Sequence, residues 1–363
     1  KMLYDNALLV PVYLEAWQVT GREDFARTVR EILRYIERDM TAPGGAFYSA
    51  TDADSLTPAG RAEEGWFFTW TPAELAAVLD PADARLAAEH YGVTPAGNFE
   101  GRSILHVARP LAGAAQAAGL DPEAAARRLP AIRDALYEAR KARPAPLRDE
   151  KILTAWNGLM IGAAARAGLA LDDPEAVRMA ERAAGFVLDR MRDGSGRLLR
   201  SFKDGRAEQP AFLEDHAFLV AGLLDLYEAG GGVRWLREAV ALQDLMDRHH
   251  ADPRGGYFTT ADDQEKLLAR EKPAQDGAEP SGNSVAALSL LRLAALTGDD
   301  RYRRSADGVL RAFGGMLERM PAALSELLLA LDWRLDPARE VVVMLPGSGS
   351  SGDGGLLAPI RRG

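Results

Sequence analysis

The sequence predicts an all-α fold, an (α/α)6 toroid or six-hairpin barrel, with short β-hairpins on the loops at one mouth. Two observations carry that prediction. First, four apolar stretches repeat one design: YDNALLVPVYLEAWQVTG (Tyr4 to Gly21), ILTAWNGLMIGAAARAG (Ile152 to Gly168), LEDHAFLVAGLLDLYEAG (Leu213 to Gly230) and SGNSVAALSLLRLAALTG (Ser281 to Gly298). Each opens on a polar residue beside a small one (Asn6-Ala7, Asn157-Gly158, His216-Ala217, Asn283-Ser284) and closes on glycine. Such runs are too long for one strand and read as helices, apolar almost all round and therefore buried on most sides. Second, a charged helix follows each copy, with its apolar residues on one stripe: Phe25, Val29, Ile32 and Ile36; Val177, Ala180, Ala184 and Val187; Trp235, Ala239 and Leu242; Tyr302, Ala306, Val309 and Phe313. One-sided stripes belong to helices with one solvent face. The later copies recur at intervals of roughly 60 to 70 residues, the signature of an array of hairpins.

Closing the array into a ring makes each inner helix touch both neighbours and the outer layer. Gly158, Gly162, Ala163, Ala164, Gly222, Ala286, Ala287, Ala294 and Ala295 suit that close approach. An open solenoid would require polar capping helices at its ends, and the sequence offers none.

The elements follow in order. The first hairpin covers Leu3 to Met40, with a kink at Pro11, since an interior proline costs about 3 kcal/mol. GGAFYSATDADS (Gly44 to Ser55) and WFFTWT (Trp66 to Thr71) read as the two flanks of a β-hairpin around a long acidic loop. Thr71 to Val93 reads as one helix with Thr71 as N-cap, Pro72 first and Glu74 third, a capping box. Tyr91 to Leu105 is loop and short strand, Asp121 to Arg143 an amphipathic helix, and Arg143 to Lys151 a proline-bearing connector. GSGRLLRSF (Gly194 to Phe202) and GGYFTTA (Gly255 to Ala261) are β-like segments before the next inner helix. Pro321 to Leu335 is a last helix and Arg339 to Leu345 a short strand. PGSGSSGDGG (Pro346 to Gly355) is low-complexity linker. The barrel is thus expected over residues 1–337, with a strand and flexible tail over 338–363. The opening residues of the first hairpin are expected upstream of Lys1.

Bulk properties narrow the function. The chain has 363 residues, 47% of them apolar, a net charge of −9 and no cysteine. The length is ample for a core, and the repeat argues for one large helical domain rather than several. The acidic balance and the lack of a basic stripe argue against nucleic acid as a partner. The absent cysteine excludes disulfides and thiolate chemistry within these residues. No apolar run reaches a membrane span of ~18 residues and no signal peptide is visible, so no membrane partner is expected and the cytoplasm is the expected compartment.

The candidate site follows from the topology. Outer-to-inner connections line one mouth of such a barrel, and inner-helix N-termini, with their free N–H donors, point into it. The densest polar clusters fall there: Asp5 and Asn6; Asp52 and Asp54; Lys151, Trp156 and Asn157; Glu214, Asp215 and His216; Lys272, Asp276, Glu279 and Asn283. Carboxylates move protons and aromatic faces stack on pyranose rings, so the expected ligand is sugar-like. Asp215, His216, Asp276 and Glu279 are the candidates for proton transfer. Asp5, Asn6, Asp52, Asp54, Trp66, Lys151, Trp156, Asn157, Glu214, Lys272 and Asn283 are the candidates for binding. The plainer alternatives are helix capping for Asp5, Asp215 and Ser281, core packing for Trp66 and Trp156, and a satisfied structural histidine for His216. His249 and His250 end an outer helix, where they suit the negative end of its dipole. No metal and no cofactor is expected: Asp52 and Asp54 lack the further oxygens of a calcium loop, and no phosphate or dinucleotide loop occurs.

Several long motifs, in order, carry a resemblance: KMLYDNALL, GGAFYSATDADS with EEGWFFTWT, YGVTPAGNFEGRSIL, DEKILTAWNGLMI, FLEDHAFL and DGAEPSGNSVAALSLLRLAALTG. From Lys1 to about Leu345 the chain resembles the YyaL-like family of thioredoxin-domain-containing proteins, with its spermatogenesis-associated relatives. The resemblance implies a barrel similar to N-acylglucosamine 2-epimerase and cellobiose epimerase and, more distantly, to six-hairpin glycosidases. It also implies an N-terminal thioredoxin-like domain as a partner, which these residues do not contain. Two functions stay open: a carbohydrate-active isomerase or hydrolase, and a non-catalytic binding or scaffold module serving that thioredoxin-like domain. Epimerases of this fold use two histidines, and only His216 stands at an inner-helix start, so the carboxylates fit hydrolysis better.

Overall fold

The computed structural model describes residues 1–265 and 267–336. The strand expected over 339–345, the linker and the tail lie outside the described residues. The chain is mostly helical, with a few short antiparallel strands. It divides into two compact units: a smaller one of Lys1 with Thr51–Asp149, and a larger one of Met2–Ala50 with the chain from Glu150 onward.

The larger unit opens with α1 (Leu3–Thr20), which buries Leu3, Ala7, Val10 and Leu14 and contains Pro11. The outer helix α2 (Glu23–Tyr35) follows and runs on as a π-helical turn over Ile36–Met40. Val29 and Ile36 of its predicted stripe are buried, with Phe25 and Ile32 at the margin.

The smaller unit comes next. After β1 (Ala50–Thr51), strand β2 (Asp54–Leu56) pairs antiparallel with β3 (Ala62–Glu64) in the register Asp54 to Glu64, Ser55 to Glu63 and Leu56 to Ala62. This corrects the expected hairpin. Its return strand is Ala62–Glu64, not the aromatic run from Trp66. Gly65, with φ of 71°, starts a turn there instead, and the Phe67 N–H donates to Ser55 Oγ at 3.0 Å. The single helix expected over Thr71 to Val93 is two, α3 (Pro72–Val78) and α4 (Pro81–Tyr91). The break has a local cause: Pro81 supplies no N–H, and Asp80 caps α4 by accepting from Ala82 and Asp83, both at 2.9 Å. The Thr71–Glu74 capping box is present. Helices α5 (Leu111–Ala118) and α6 (Pro122–Lys141) complete a core around Trp70, Leu75, Leu86, Ile132 and Leu136. Glu74 binds Arg102 at 2.7 Å and Arg143 at 3.3 Å. Burial works against its charge, but these cations hold its carboxyl below the ordinary range.

After β4 (Arg148–Asp149) and β5 (Ile152–Leu153) the larger unit resumes with three hairpins. Inner α7 (Thr154–Leu171) pairs with outer α8 (Pro174–Arg190). Strands β6 (Leu199–Lys203) and β7 (Arg206–Pro210) form a hairpin that β5 extends to three strands. Inner α9 (Leu213–Leu226) pairs with outer α10 (Val233–His249), and inner α11 (Gly282–Thr297) with outer α12 (Asp300–Arg319). A 3-10 turn over Pro321–Leu324 leads into α13 (Ser325–Leu335). Inner helices pack side by side in chain order, α1 on α7, α7 on α9, α9 on α11 and α11 on α13.

Glycine sets the tightest of these contacts. A Cβ on Gly158 would stand 2.6 Å from Leu219 N, one on Gly162 would stand 2.6 Å from Asp225 Oδ2, and one on Gly222 would collide with the Gly158 carbonyl. The two backbones therefore meet where only hydrogen fits. At the far end, the buried guanidinium of Arg292 ties α11 to α9 through Asp225 at 2.7 Å and Glu228 at 3.0 Å. The expected alternation of buried and amphipathic helices is thus the architecture of this unit.

Candidate functional site

The starts of α1, α7, α9 and α11, with strand β6, bring one polar cluster together inside the larger unit. Trp156, in the first turn of α7, donates its indole N–H to Glu279 Oε1 at 2.6 Å. Glu279 precedes α11. The ring of Tyr4, from the first turn of α1, meets the Trp156 ring edge-on at 4.9 Å. Arg200 of β6 donates to Glu214 Oε1 and to Asp215 Oδ2, each at 3.1 Å, and lies over the Phe212 ring.

The charges of this cluster act on one another. Burial pushes the Glu279 carboxyl above its ordinary range, and the nearby charges of Glu214 and Asp5 add to the rise. The Tyr4 hydroxyl is raised by burial and by Asp5 and Glu279. Glu279 is half-buried and Asp5 is exposed, so both face water or a ligand. A carboxylic acid with a raised pKa, flanked by further carboxylates and two aromatic rings, can donate a proton to a ring-shaped polar molecule held against those rings.

Other sequence candidates are committed to the backbone. Asn157 is fully buried; its Oδ1 accepts from Phe47 N at 2.8 Å and its Nδ2 donates to Phe47 O and Leu153 O. Asn283 repeats the arrangement, accepting from Tyr257 N at 2.7 Å and donating to Tyr257 O and Pro273 O. Asp215, also fully buried, accepts from Phe212 N and Ala155 N at 2.9 and 3.0 Å. Burial pushes its carboxyl up to about 7, against the pull of Arg200 and those backbone donors. Asp276 accepts from Ser281 N and Glu326 N. Lys272 donates to Asp252 at 2.9 Å and to Gly255 O at 2.7 Å. Asn6 donates to Met2 O at 2.8 Å. Ser281 is the N-cap of α11 and accepts from Ser284 N.

His216 is buried at the start of α9, and its Nδ1 lies 3.0 Å from Phe212 O. A carbonyl only accepts, so Nδ1 carries the proton and Nε2 is left as a bare base. Burial, with His250 adding to it, lowers its pKa to about 3. His250 makes the same bond to Phe258 O at 3.0 Å, and the two rings lie 5.1 Å apart. Its Nε2 is buried with no partner among the described residues.

The remaining candidates are not part of this cluster's contacts. Lys151 is exposed, between β4 and β5. In the smaller unit Asp52 and Asp54 are exposed, Asp52 accepting from Asp54 N at 3.3 Å. Trp66 there lies under the guanidinium groups of Arg143 and Arg102 at 5.2 and 5.8 Å. His249, Asp262 and Asp263 present ligand atoms within 4.8 Å of one another, but Arg197 already binds Asp263.

Three members escaped the sequence reading. Tyr4 looked like the first apolar residue of a core helix. Arg200 sat in a strand-like segment with no marker of its own. His250 looked like a helix-terminal histidine. An aromatic residue one or two positions ahead of the helix-start pair was the one usable signal, shared by Tyr4 and Trp156.

No family model matches the chain. Spermatogenesis-associated protein 20 of Homo sapiens is 38% identical, across 94% of this chain and 48% of its own length. Uncharacterized protein B0495.5 of Caenorhabditis elegans is 31% identical, across 96% of this chain and 51% of its own. The chain therefore spans about half the length of the curated relatives it matches. Among solved structures, a GH76 alpha-mannanase of Bacteroides thetaiotaomicron is similar with a TM-score of 0.46 and 12% identity, over 86% of this chain and 60% of that one. Cellobiose 2-epimerase of Spirochaeta thermophila gives 0.44 and 13% over 87% and 74%, and a D-mannose isomerase gives 0.42 and 13% over 87% and 76%.

Proposed function

We propose that the larger unit binds a carbohydrate at the starts of α1, α7, α9 and α11 and acts on it by acid–base chemistry, with Glu279 as the proton donor. The observation that carries this reading is the Trp156–Glu279 hydrogen bond with Tyr4 packed beside it. The indole N–H occupies one Glu279 oxygen and leaves the other to carry and release a proton. Burial raises its pKa, which favours the protonated form of that oxygen relative to an exposed carboxylate. Glu214, held by Arg200, and Asp5 are the further carboxylates that such a reaction employs as base or nucleophile. Trp156 and Tyr4 offer the apolar surface for a pyranose face.

A second reading is a carbohydrate-binding module without turnover. It is favoured by the commitment of Asn157, Asn283, Asp215 and Asp276 to backbone bonds. One series of measurements separates the two. A panel of mono- and disaccharides is screened by thermal shift, and each ligand that stabilises the chain is incubated and analysed for isomerised and hydrolysed products. Conversion that Glu279→Gln reduces by about 10²-fold or more supports the first reading. Binding without conversion supports the second, and no stabilisation by any sugar removes both.

A further inference from the structure

A second concave site in the larger unit shares no residue with the Trp156–Glu279 cluster. A cavity of about 660 Å3 opens between α12 and the turn at residues 253–257, lined by Arg254, Arg301, Arg304 and Arg311 together with Asp247 and Asp252. Arg301, Arg304 and Arg311 share one face of α12 with Gly308, at helical spacing. The turn reaches the helix at that point because residue 255 is glycine: a Cβ there would collide with the Gly308 carbonyl.

The charges lining this cavity do not cancel. Of the lining arginines, Arg301 pairs with Asp244 and Asp299, and outside the cavity Arg303 pairs with Asp300. Arg304 and Arg311 make no ion pair or hydrogen bond with any described residue. Both aspartates have other commitments. Asp252 accepts from Arg254 N, from Lys272 and from the Arg254 guanidinium at 3.3 Å, and these hold its carboxyl well below the usual range. Asp247 accepts from the Tyr257 hydroxyl at 2.6 Å and from Gln243, while burial pushes its carboxyl up. A concave excess of guanidinium groups stands out on a chain whose net charge is −9.

We propose that this cavity binds a small molecule bearing at least two phosphate groups. Guanidinium forks match phosphate oxygens two at a time, so the uncommitted Arg304 and Arg311, with Arg254 and Arg301 beside them sharing their charge with Asp252, Asp244 and Asp299, can engage more than one phosphate. The volume lies within the range of small-molecule sites, about 300–1,000 Å3. The proposal is independent of the carbohydrate reading and is tested on the whole 363-residue chain.

Isothermal titration with inorganic pyrophosphate near physiological salt is expected to give saturable one-site binding. Inorganic phosphate should bind at least about tenfold more weakly, and the double variant Arg304→Ala, Arg311→Ala should weaken pyrophosphate by about tenfold or more. Arg303→Ala, an exposed arginine of the same helix outside the cavity, should leave binding within about twofold. The pair Arg304→Lys, Arg311→Lys keeps charge but loses the forks, and should also bind more weakly; it serves the same comparison if the alanine pair unfolds. Absence of saturable binding, or an equal loss in Arg303→Ala, overturns the proposal.

Discussion

The starts of α7 and α11 and the start of α9 stand at equivalent places in the repeat, yet they use their marker residue differently. Asn157 and Asn283 each grip both backbone groups of one aromatic residue in the preceding glycine-led segment, Phe47 and Tyr257. Their amides are consumed by the fold. His216 at the start of α9 uses one nitrogen for its own helix and turns its ring toward His250. A conspicuous polar residue at a helix start therefore has to be counted bond by bond before it is assigned chemistry. By that count Glu279, Glu214 and Asp5 keep free capacity, while Asn157 and Asn283 have both amide hydrogens and the oxygen engaged by backbone.

The contrast is open to direct attack, and the largest effect should come from the clamps. Asn157→Ala strands an N–H and a C=O of Phe47 in the core. Each unpaired buried group costs about 1–3 kcal/mol, so a loss of several kcal/mol is expected in denaturant unfolding. Asn283→Ala should match it, and a loss under about 1 kcal/mol in either would show that the clamp is dispensable. Glu279→Gln should do the opposite, leaving the unfolding midpoint nearly unchanged while abolishing conversion of any sugar that the chain transforms.

Acidification sharpens the comparison further. Glu326, beside Asp276, has a carboxyl raised to about 7 by burial and by Asp276, against an ordinary value of about 4.3. Its folded form therefore holds a proton that the unfolded form has released. The stability it adds is complete below about pH 4 and is lost as pH rises to about 7. Asp215 acts with the same sign. His216, lowered to about 3, acts oppositely: its contribution is complete above about pH 6.5 and is lost as pH falls toward 3. Measured as Tm between pH 7 and pH 5, Glu326→Gln should lose stability on acidification relative to the parent chain, and His216→Asn should gain it. Parallel curves for all three proteins would mean that these groups titrate alike in the folded and unfolded chains. The smallest effect is expected from Asp54→Asn, an exposed carboxylate, within about 0.5 kcal/mol.

Much of the fold was legible because its signals are local. Alternation of all-round apolar and one-sided helices needs only a window of residues, and so does the Thr71–Glu74 box. Gly158, Gly162 and Gly222 were readable as close-approach points because small residues inside long helices have few other uses. The Asp80-Pro81 break was written in the sequence and was outweighed by the helical pattern on either side. The aromatic run from Trp66 was drawn toward a strand by composition, although Gly65 already marked a turn. The site was less legible because its meaning is long-range. Asn157 is spent on a residue 110 positions away, and Trp156 meets a partner 123 positions away. No local pattern says which of two neighbours, Trp156 or Asn157, faces the core.

The Asn157–Phe47 clamp also has a consequence for how the chain is made. Its two halves leave the ribosome separated by the whole of the smaller unit. At about 5–20 residues per second, the first hairpin waits on the order of 5–20 s before its permanent neighbour emerges. During that interval the apolar face of α1 is uncovered, so chaperone capture during translation should concentrate on nascent chains cut short before α7.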